Sequence, residues 1–306
     1  MVFTTWCVTT AARHRAHLTP KRVLRFGADT PNRRDSVRTR HAVAATQEHI
    51  MSHQPAPISV QLYSLREEAA VDFVAVLAQL GSVGFVGVEL AGLHGMSPAQ
   101  FAKTAADAGL VVSSGHVGDP APDALNRALD DLQGVGCNTA ALAFLPPTAF
   151  ADADAIAQSA EILNSAQTIA ASRGVRLGYH NHWWEFAAMD DGRTAMAYFL
   201  DLLDASVFVE LDTYWTRVGG ADPAHVLTEL GARARLIHVK DGPADDPKNP
   251  MVAVGSGSMD IAAVIAAAGS AEWHIVELDR CANDMATAIS DSYRFLVGSG
   301  LSRGRT

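Results

Sequence analysis

The sequence predicts a single (β/α)8 barrel preceded by a basic, disordered N-terminal extension. Three observations carry the barrel. Short apolar runs alternate with helix-period stretches from about residue 58 to residue 298, there are eight of each, and ionisable residues collect at the C-terminal ends of the apolar runs. A doubly wound open sheet uses the same units, so the count and the polar clustering separate the two.

In chain order, Ile58–Tyr63, Gly87–Leu90, Val111–Ser114 and Thr139–Ala143 read as the first four strands. Helices centred on Val71–Gly81, Pro98–Ala108, Asp123–Gly134 and Asp152–Ser172 follow them in turn. A glycine stands between each of these helices and the next strand (Gly84, Gly109, Gly136, Gly174), where a left-handed C-cap is expected. The second half repeats the pattern, with strands Val175–His180, Val207–Asp212, Leu236–Val239 and His274–Glu277. Its helices are Gly192–Leu203, Pro223–Leu230, Asp260–Ala268 and Asn283–Val297. The run Val254-Gly255-Ser256-Gly257-Ser258-Met259-Asp260 is superficially a phosphate loop but lacks the Gly-Lys-Ser/Thr ending of one. It is read as a turn whose last residue, Asp260, caps the following helix.

Residues 1–55 stand apart as a basic, acid-poor segment without sustained period, and residues 56–300 form the catalytic barrel. The segment is read as a disordered tail or as an upstream extension of a chain that starts naturally at Met51, with an organelle transit peptide as the alternative. Over residues 1–54 nine Lys/Arg face three acids, a surplus of six positives; against a formal net charge of −9, that leaves −15 for the rest of the 306 residues. A body this acidic repels a phosphate backbone, which argues against a nucleic-acid partner. No apolar run reaches the roughly 18 residues of a membrane span, so no membrane association is expected. Cys7, Cys137 and Cys281 show no C-x-x-C spacing, so neither a disulfide framework nor a cysteine zinc site is expected, and a cytoplasmic location is the default.

The chemistry collects at the strand ends. Glu89 ends strand two, and strand three runs into His116. Strand five runs into Tyr179-His180-Asn181-His182-Trp183-Trp184-Glu185-Phe186. Strand six ends Glu210-Leu211-Asp212-Thr213-Tyr214-Trp215, strand seven His238-Val239-Lys240-Asp241, and strand eight Glu277-Leu278-Asp279. In a barrel these ends converge on one mouth. One histidine there is unremarkable, but so many ionisable groups cost several kcal/mol of desolvation without a metal or substrate. Side chains alternate along a strand, so His180 pairs with His182, Glu210 with Asp212, and His238 with Lys240 on common faces. Imidazoles and carboxylates without thiolate suit one divalent metal: Mn²⁺ is the first choice for mixed nitrogen and oxygen ligation, with Mg²⁺, Co²⁺ and Zn²⁺ open.

With these residues in view, the chain resembles the xylose isomerase-like TIM barrels, the sugar phosphate isomerase/epimerase superfamily, over about residues 58–298. The resemblance implies one metal held by Glu on strand five, Asp on strand six, His on strand seven and Glu on strand eight. Asp212, His238 and Glu277 match the last three, while His180 stands where strand five carries the Glu. The His-Asn-His-x-x-Glu-Phe run is similar to that of inosose dehydratases and enzymes of keto-sugars or keto-glycosides. It puts the family's symmetric two-Glu acid/base pair in question and leaves Glu185 as a second candidate for the strand-five ligand. Family epimerases carry a substrate-binding His three residues after the strand-six Asp; Trp215 stands there, so a different substrate face is expected.

The expected function is therefore a metal-dependent isomerase or epimerase of a sugar, keto-sugar or polyol, working through an enediolate. Glu277, His182 or Glu185 is the base, and Lys240 neutralises the developing oxyanion or is tied to Asp241 or Glu210. His116 binds a substrate hydroxyl or moves a proton. Glu89 holds substrate or a neighbouring Lys, and Tyr214 and Trp215, with Trp183 and Trp184, form a wall against the sugar ring or pack the rim. Elimination from a keto-sugar, inosose or 3-keto-glycoside is the alternative, and a non-catalytic sugar-binding barrel the next. An abasic-site nuclease on the same barrel is disfavoured by the acidic body. The partner is a small-molecule carbohydrate. Similar proteins are often dimers or tetramers, so a homo-oligomer fits the resemblance, though the sequence itself carries no interface signal.

Overall fold

The computed structural model describes residues 54–306; the basic extension over residues 1–53, and every expectation placed on it, lies outside the described residues. Eight parallel strands close on themselves in sequence order: β1 Ile58–Gln61, β2 Gly87–Leu90, β3 Val111–Val117, β4 Thr139–Leu142, β5 Arg176–His180, β6 Phe208–Asp212, β7 Ala234–Val239 and β8 Trp273–Val276. The closing pair sets Ile58 opposite His274 and Val60 opposite Val276. Around them lie α1 Arg66–Val83, α2 Pro98–Asp107, α3 Pro122–Gly134, α4 Ala153–Ser172, α5 Ala195–Leu202, α6 Thr213–Val218, α7 Pro223–Leu230, α8 Ile261–Ala267 and α9 Met285–Gly298. The chain is thus a (β/α)8 barrel, as the alternation predicts.

Each expected strand and helix falls on an observed one, with informative differences. β3 extends to Val117, so His116 sits on the strand and not beyond it. α1 begins five residues before the expected start but is broken at Asp72 (φ −152°, ψ 91°), whose carboxylate accepts the Ala75 N–H at 2.9 Å. The expected helix coincides with the second of these two pieces. Short α6 was not anticipated; it is nucleated by Asp212, whose Oδ1 accepts the Trp215 N–H at 2.8 Å. All four glycines expected as C-caps take positive φ, from 71° to 112°.

Inside the barrel, Phe208, Leu236 and Ile275 form a small buried cluster with Trp273 against it. Gly178 is the register partner of Phe208, and a Cβ there would come within 2.4 Å of the phenyl ring. The missing side chain on β5 is therefore what admits Phe208 as the floor beneath the mouth. The strand pairing slips between Val88 and Glu89 and again between Val209 and Glu210. Such irregularities re-aim the side chains that follow them, here two glutamates of the site.

The glycine-rich run after β7 has a filled cradle. The Asp241 carboxylate accepts backbone N–H groups from Gly242, Gly255, Gly257 and Met259 at 2.8, 2.9, 3.0 and 3.1 Å. Asp260 then caps α8 through the Ala263 N–H, as expected.

Candidate metal centre

The mouth of the barrel is built from the ends of β2, β3 and β5 to β8. His180, Asp212, His238 and Glu277, all buried, present ligand atoms that lie within 4.8 Å of one another. A second group, His116, His180, Glu210 and His238, meets the same limit and shares two imidazoles with the first. These residues converge because each ends a neighbouring strand of the closed sheet.

The imidazoles are wired to the carboxylates. His238 pairs Nδ1 with Glu277 Oε2 and Nε2 with Glu89 Oε1, both at 2.7 Å. His116 Nε2 lies 2.7 Å from Glu210 Oε2. Glu89 is further held by donation from Gln61 Nε2 at 2.7 Å and from Ser114 Oγ at 2.5 Å. Lys240, wholly buried, places Nζ 2.8 Å from Asp212 Oδ2, 2.6 Å from Glu277 Oε2 and 2.6 Å from Asp279 Oδ2. Its partners are therefore not Asp241 or Glu210, because Asp241 is committed to its loop.

Electrostatics divide the cluster. Burial pushes Glu210 up to about 7, with the Glu89 charge adding to it. Asp212 is raised by burial to about 6, with Lys240 and His238 pulling against the rise. Burial would raise Glu89 too, but His116 and His238 outweigh it and hold the group at about 2. Glu277 resists its burial because Lys240 and His238 hold it well below the ordinary carboxylate range. Burial drives His180 well below the imidazole range, helped by His238 and His116. His182 is lowered to about 3 by burial and Lys240. His116 and His238 are raised, because the surrounding glutamates overcome the burial that opposes them.

The donor set fits a cation. Five carboxylates (Glu89, Glu210, Asp212, Glu277, Asp279) surround one ammonium and three imidazoles. His180 Nδ1 and Glu210 Oε1 are buried with no hydrogen-bond partner among the described residues. A buried acceptor and imidazole nitrogen left open within a carboxylate surplus are what a divalent ion would satisfy.

A family model described as the xylose isomerase-like TIM barrel matches residues 62–296. The chain belongs to that family. Among solved structures this xylose isomerase-like barrel is similar to a sugar phosphate isomerase/epimerase from Parabacteroides distasonis ATCC 8503, with TM-score 0.70 and 23% identity over 83% of this chain and 97% of that one. It is also similar to an L-ribulose 3-epimerase (TM-score 0.60, 18% identity, 80% of this chain and 94% of that one). A third similar structure is a probable 3-DHS dehydratase involved in petrobactin synthesis from Bacillus anthracis (TM-score 0.63, 14% identity, 79% and 98%). At these identities the likeness is one of fold. No curated protein matches the sequence.

The remaining sequence candidates of the xylose isomerase-like barrel take varied places. Glu185 is buried outside both ligand groups; Oε1 accepts from the Tyr179 hydroxyl at 2.7 Å, and both oxygens accept from the His182 N–H at 3.0 Å. Burial raises it to about 7. It braces His182, whose ring stacks on Trp184 with centroids 4.5 Å apart and lies 5.3 Å from the His180 ring. Trp183 bridges Trp184 and Trp215 at 4.7 and 4.8 Å, and Phe144, unremarked in the sequence, closes on His182 and Trp184. Trp215 lies beneath Lys240, with Nζ 5.3 Å from a ring centroid. Tyr214 is fully buried and its hydroxyl accepts the Ala244 N–H at 3.1 Å, so it braces the β7–α8 loop. Sequence reasoning offered Glu210 only as a partner of Lys240, where it instead pairs with His116, and it missed Asp279 as a Lys240 partner; their position at strand ends was the available signal.

Proposed function

We propose that this barrel is a divalent-metal-dependent isomerase or epimerase acting on a sugar, keto-sugar or polyol. The supporting observation is the buried His180–Asp212–His238–Glu277 group, set in a surplus of carboxylates with open acceptor and imidazole atoms beside it. These four residues would hold the metal, with Mn²⁺ preferred for the mixed donor set. Once bound, such a metal polarises a carbonyl oxygen and acidifies the adjacent C–H.

The chain's own groups divide the rest of the work. Glu277, bonded by His238 and Lys240, would serve as a ligand rather than as the free base. Burial and then Lys240 lower His182 to about 3, which favours the neutral ring; its Nδ1 is buried without a partner, and it accepts a hydrogen bond from a substrate hydroxyl on the β5 side. His116, the partly exposed imidazole backed by Glu210 at 2.7 Å, supplies or receives the proton on the β3 side. Lys240 provides fixed positive charge for an oxyanion. Trp183, Trp184 and Phe144 give the sugar an apolar face, whereas Trp215, buried beneath Lys240, packs behind it. Free Cys137 and Cys281 suit a reducing, cytoplasmic setting.

Elimination is the second reading, supported by the placement of His116, backed by Glu210 at 2.7 Å, where it could protonate a departing hydroxyl. Metal analysis of protein purified without added metal, beside a His238→Ala, Glu277→Ala variant, tests the site. Near-stoichiometric metal present in the parent and absent from the variant supports it; no metal in either after incubation with Mn²⁺ overturns it. Deuterium uptake from D2O at the substrate α-carbon then tests the chemistry. Uptake without loss of water supports isomerisation or epimerisation, and loss of water supports elimination.

A further inference from the structure

The opposite end of the barrel holds a second polar concentration. A cleft of about 640 Å³ opens between the α4–β5, α5–β6 and α7–β7 connections. Its walls carry three arginines, Arg176, Arg233 and Arg235, and its floor is apolar, with Val175 and Phe208. Arg176 and Arg235 share a single carboxylate: Glu272 accepts from Arg176 at 2.9 and 3.0 Å and also pairs with Arg235. Arg233 spends its donors on the carbonyls of Leu200, Leu203, Asp204 and Val207. No carboxylate is within ion-pair distance of it among the described residues. Three guanidinium groups thus face Glu272 and, near Arg233, Asp204, while Asp201 is paired with Arg193; Arg235 Nε is buried with no acceptor.

This excess is out of character for the molecule. The chain beyond residue 54 carries about −15, so local positive charge here is not a sample of the general surface. Guanidinium forks match the oxygens of phosphate and carboxylate alike, and a cleft this size suits a small metabolite.

We infer that this cleft is an anion-binding site, separate from the mouth, for a small metabolite carrying a phosphate or carboxylate on a partly apolar body. Arg176 and His180 begin and end the same strand, so a bound anion sits on the order of 13 Å from the candidate metal centre. The inference stands independently of the reaction catalysed above.

The test is a thermal-shift titration of the full chain with inorganic phosphate and, separately, succinate, with NaCl holding ionic strength constant. A saturable rise in Tm is expected with at least one of them, and which one responds names the anionic group. Arg235→Gln should weaken the response at least tenfold. Ala205→Glu, which adds a carboxylate at an exposed rim position without touching the core, should do the same if the first variant folds poorly. His238→Ala, at the mouth, should leave it unchanged. The proposal is overturned by no saturable shift beyond the NaCl control, by a shift that survives Ala205→Glu, or by one lost only in His238→Ala.

Discussion

Lys240 shows how much a single residue decides. Its ammonium lies among Asp212, Glu277 and Asp279, and it is wholly buried. Lys240→Met approximates the shape of the side chain and takes the ammonium from Asp212 and Asp279, leaving Glu277 to His238 alone, which costs about 3–5 kcal/mol in the metal-free protein. The same change should enlarge the stabilisation by Mn²⁺, read as a wider gap between Tm in EDTA and Tm in Mn²⁺ than the parent shows; an unchanged gap would mean that lysine and metal do not share these oxygens. His274 gives a cleaner titration because it lies at the other end of β8, its Nδ1 2.8 Å from Ser302 Oγ. Burial lowers it from 6.5 to about 4, so the folded state prefers the neutral ring. Its stabilisation is present above pH 6.5 and is lost as pH falls toward 4, on the order of 3 kcal/mol across that window. Denaturant midpoints of His274→Gln should fall less than those of the parent over the same range. The sequence made the individual ionisable residues visible but not their partners. Lys240 meets Asp279 only once β7 pairs with β8, and His116 meets Glu210 only across the mouth from β3 to β6.

Elements were legible wherever pattern and punctuation agreed. Val88 and Val112 sit in apolar runs followed or preceded by glycine caps, and their strands emerge as expected. α6 escaped because Tyr214 and Trp215 read equally as a binding wall. What makes a helix there is the Asp212 cap, a side-chain contact rather than a period. The pairing of β5 with β6 yields a sharp expectation. Gly178→Ala drives a methyl into the Phe208 ring and should cost about 1–3 kcal/mol by urea denaturation. Adding Phe208→Leu should recover part of that loss. Additive penalties in the double variant would show that the two residues do not compete for the same space.

Among the described residues, closure of the sheet leaves no strand edge to protect, and stability rests on the ring and its helices. A chain beginning at Met51 is therefore expected to unfold in one transition with the parent's Tm to within a few degrees and to bind metal equally. A drop of ten degrees would assign the first fifty residues a part in the fold. The overall architecture was readable because eight repeats of one unit leave few ways to arrange them. The side-chain network was not, since the slips before Glu89 and Glu210 set where those carboxylates point and leave no trace in composition.

The loop wrapped around Asp241 carries a last implication, about which molecules are turned away. Its peptide N–H groups form the kind of nest that elsewhere receives a phosphoryl group, yet here they enclose an anion belonging to the chain itself. A phosphorylated visitor would have to evict that carboxylate and strand it among low-dielectric neighbours. The nest is thus already filled from within, and a phosphoryl group would find no free cradle of peptide N–H groups in this loop.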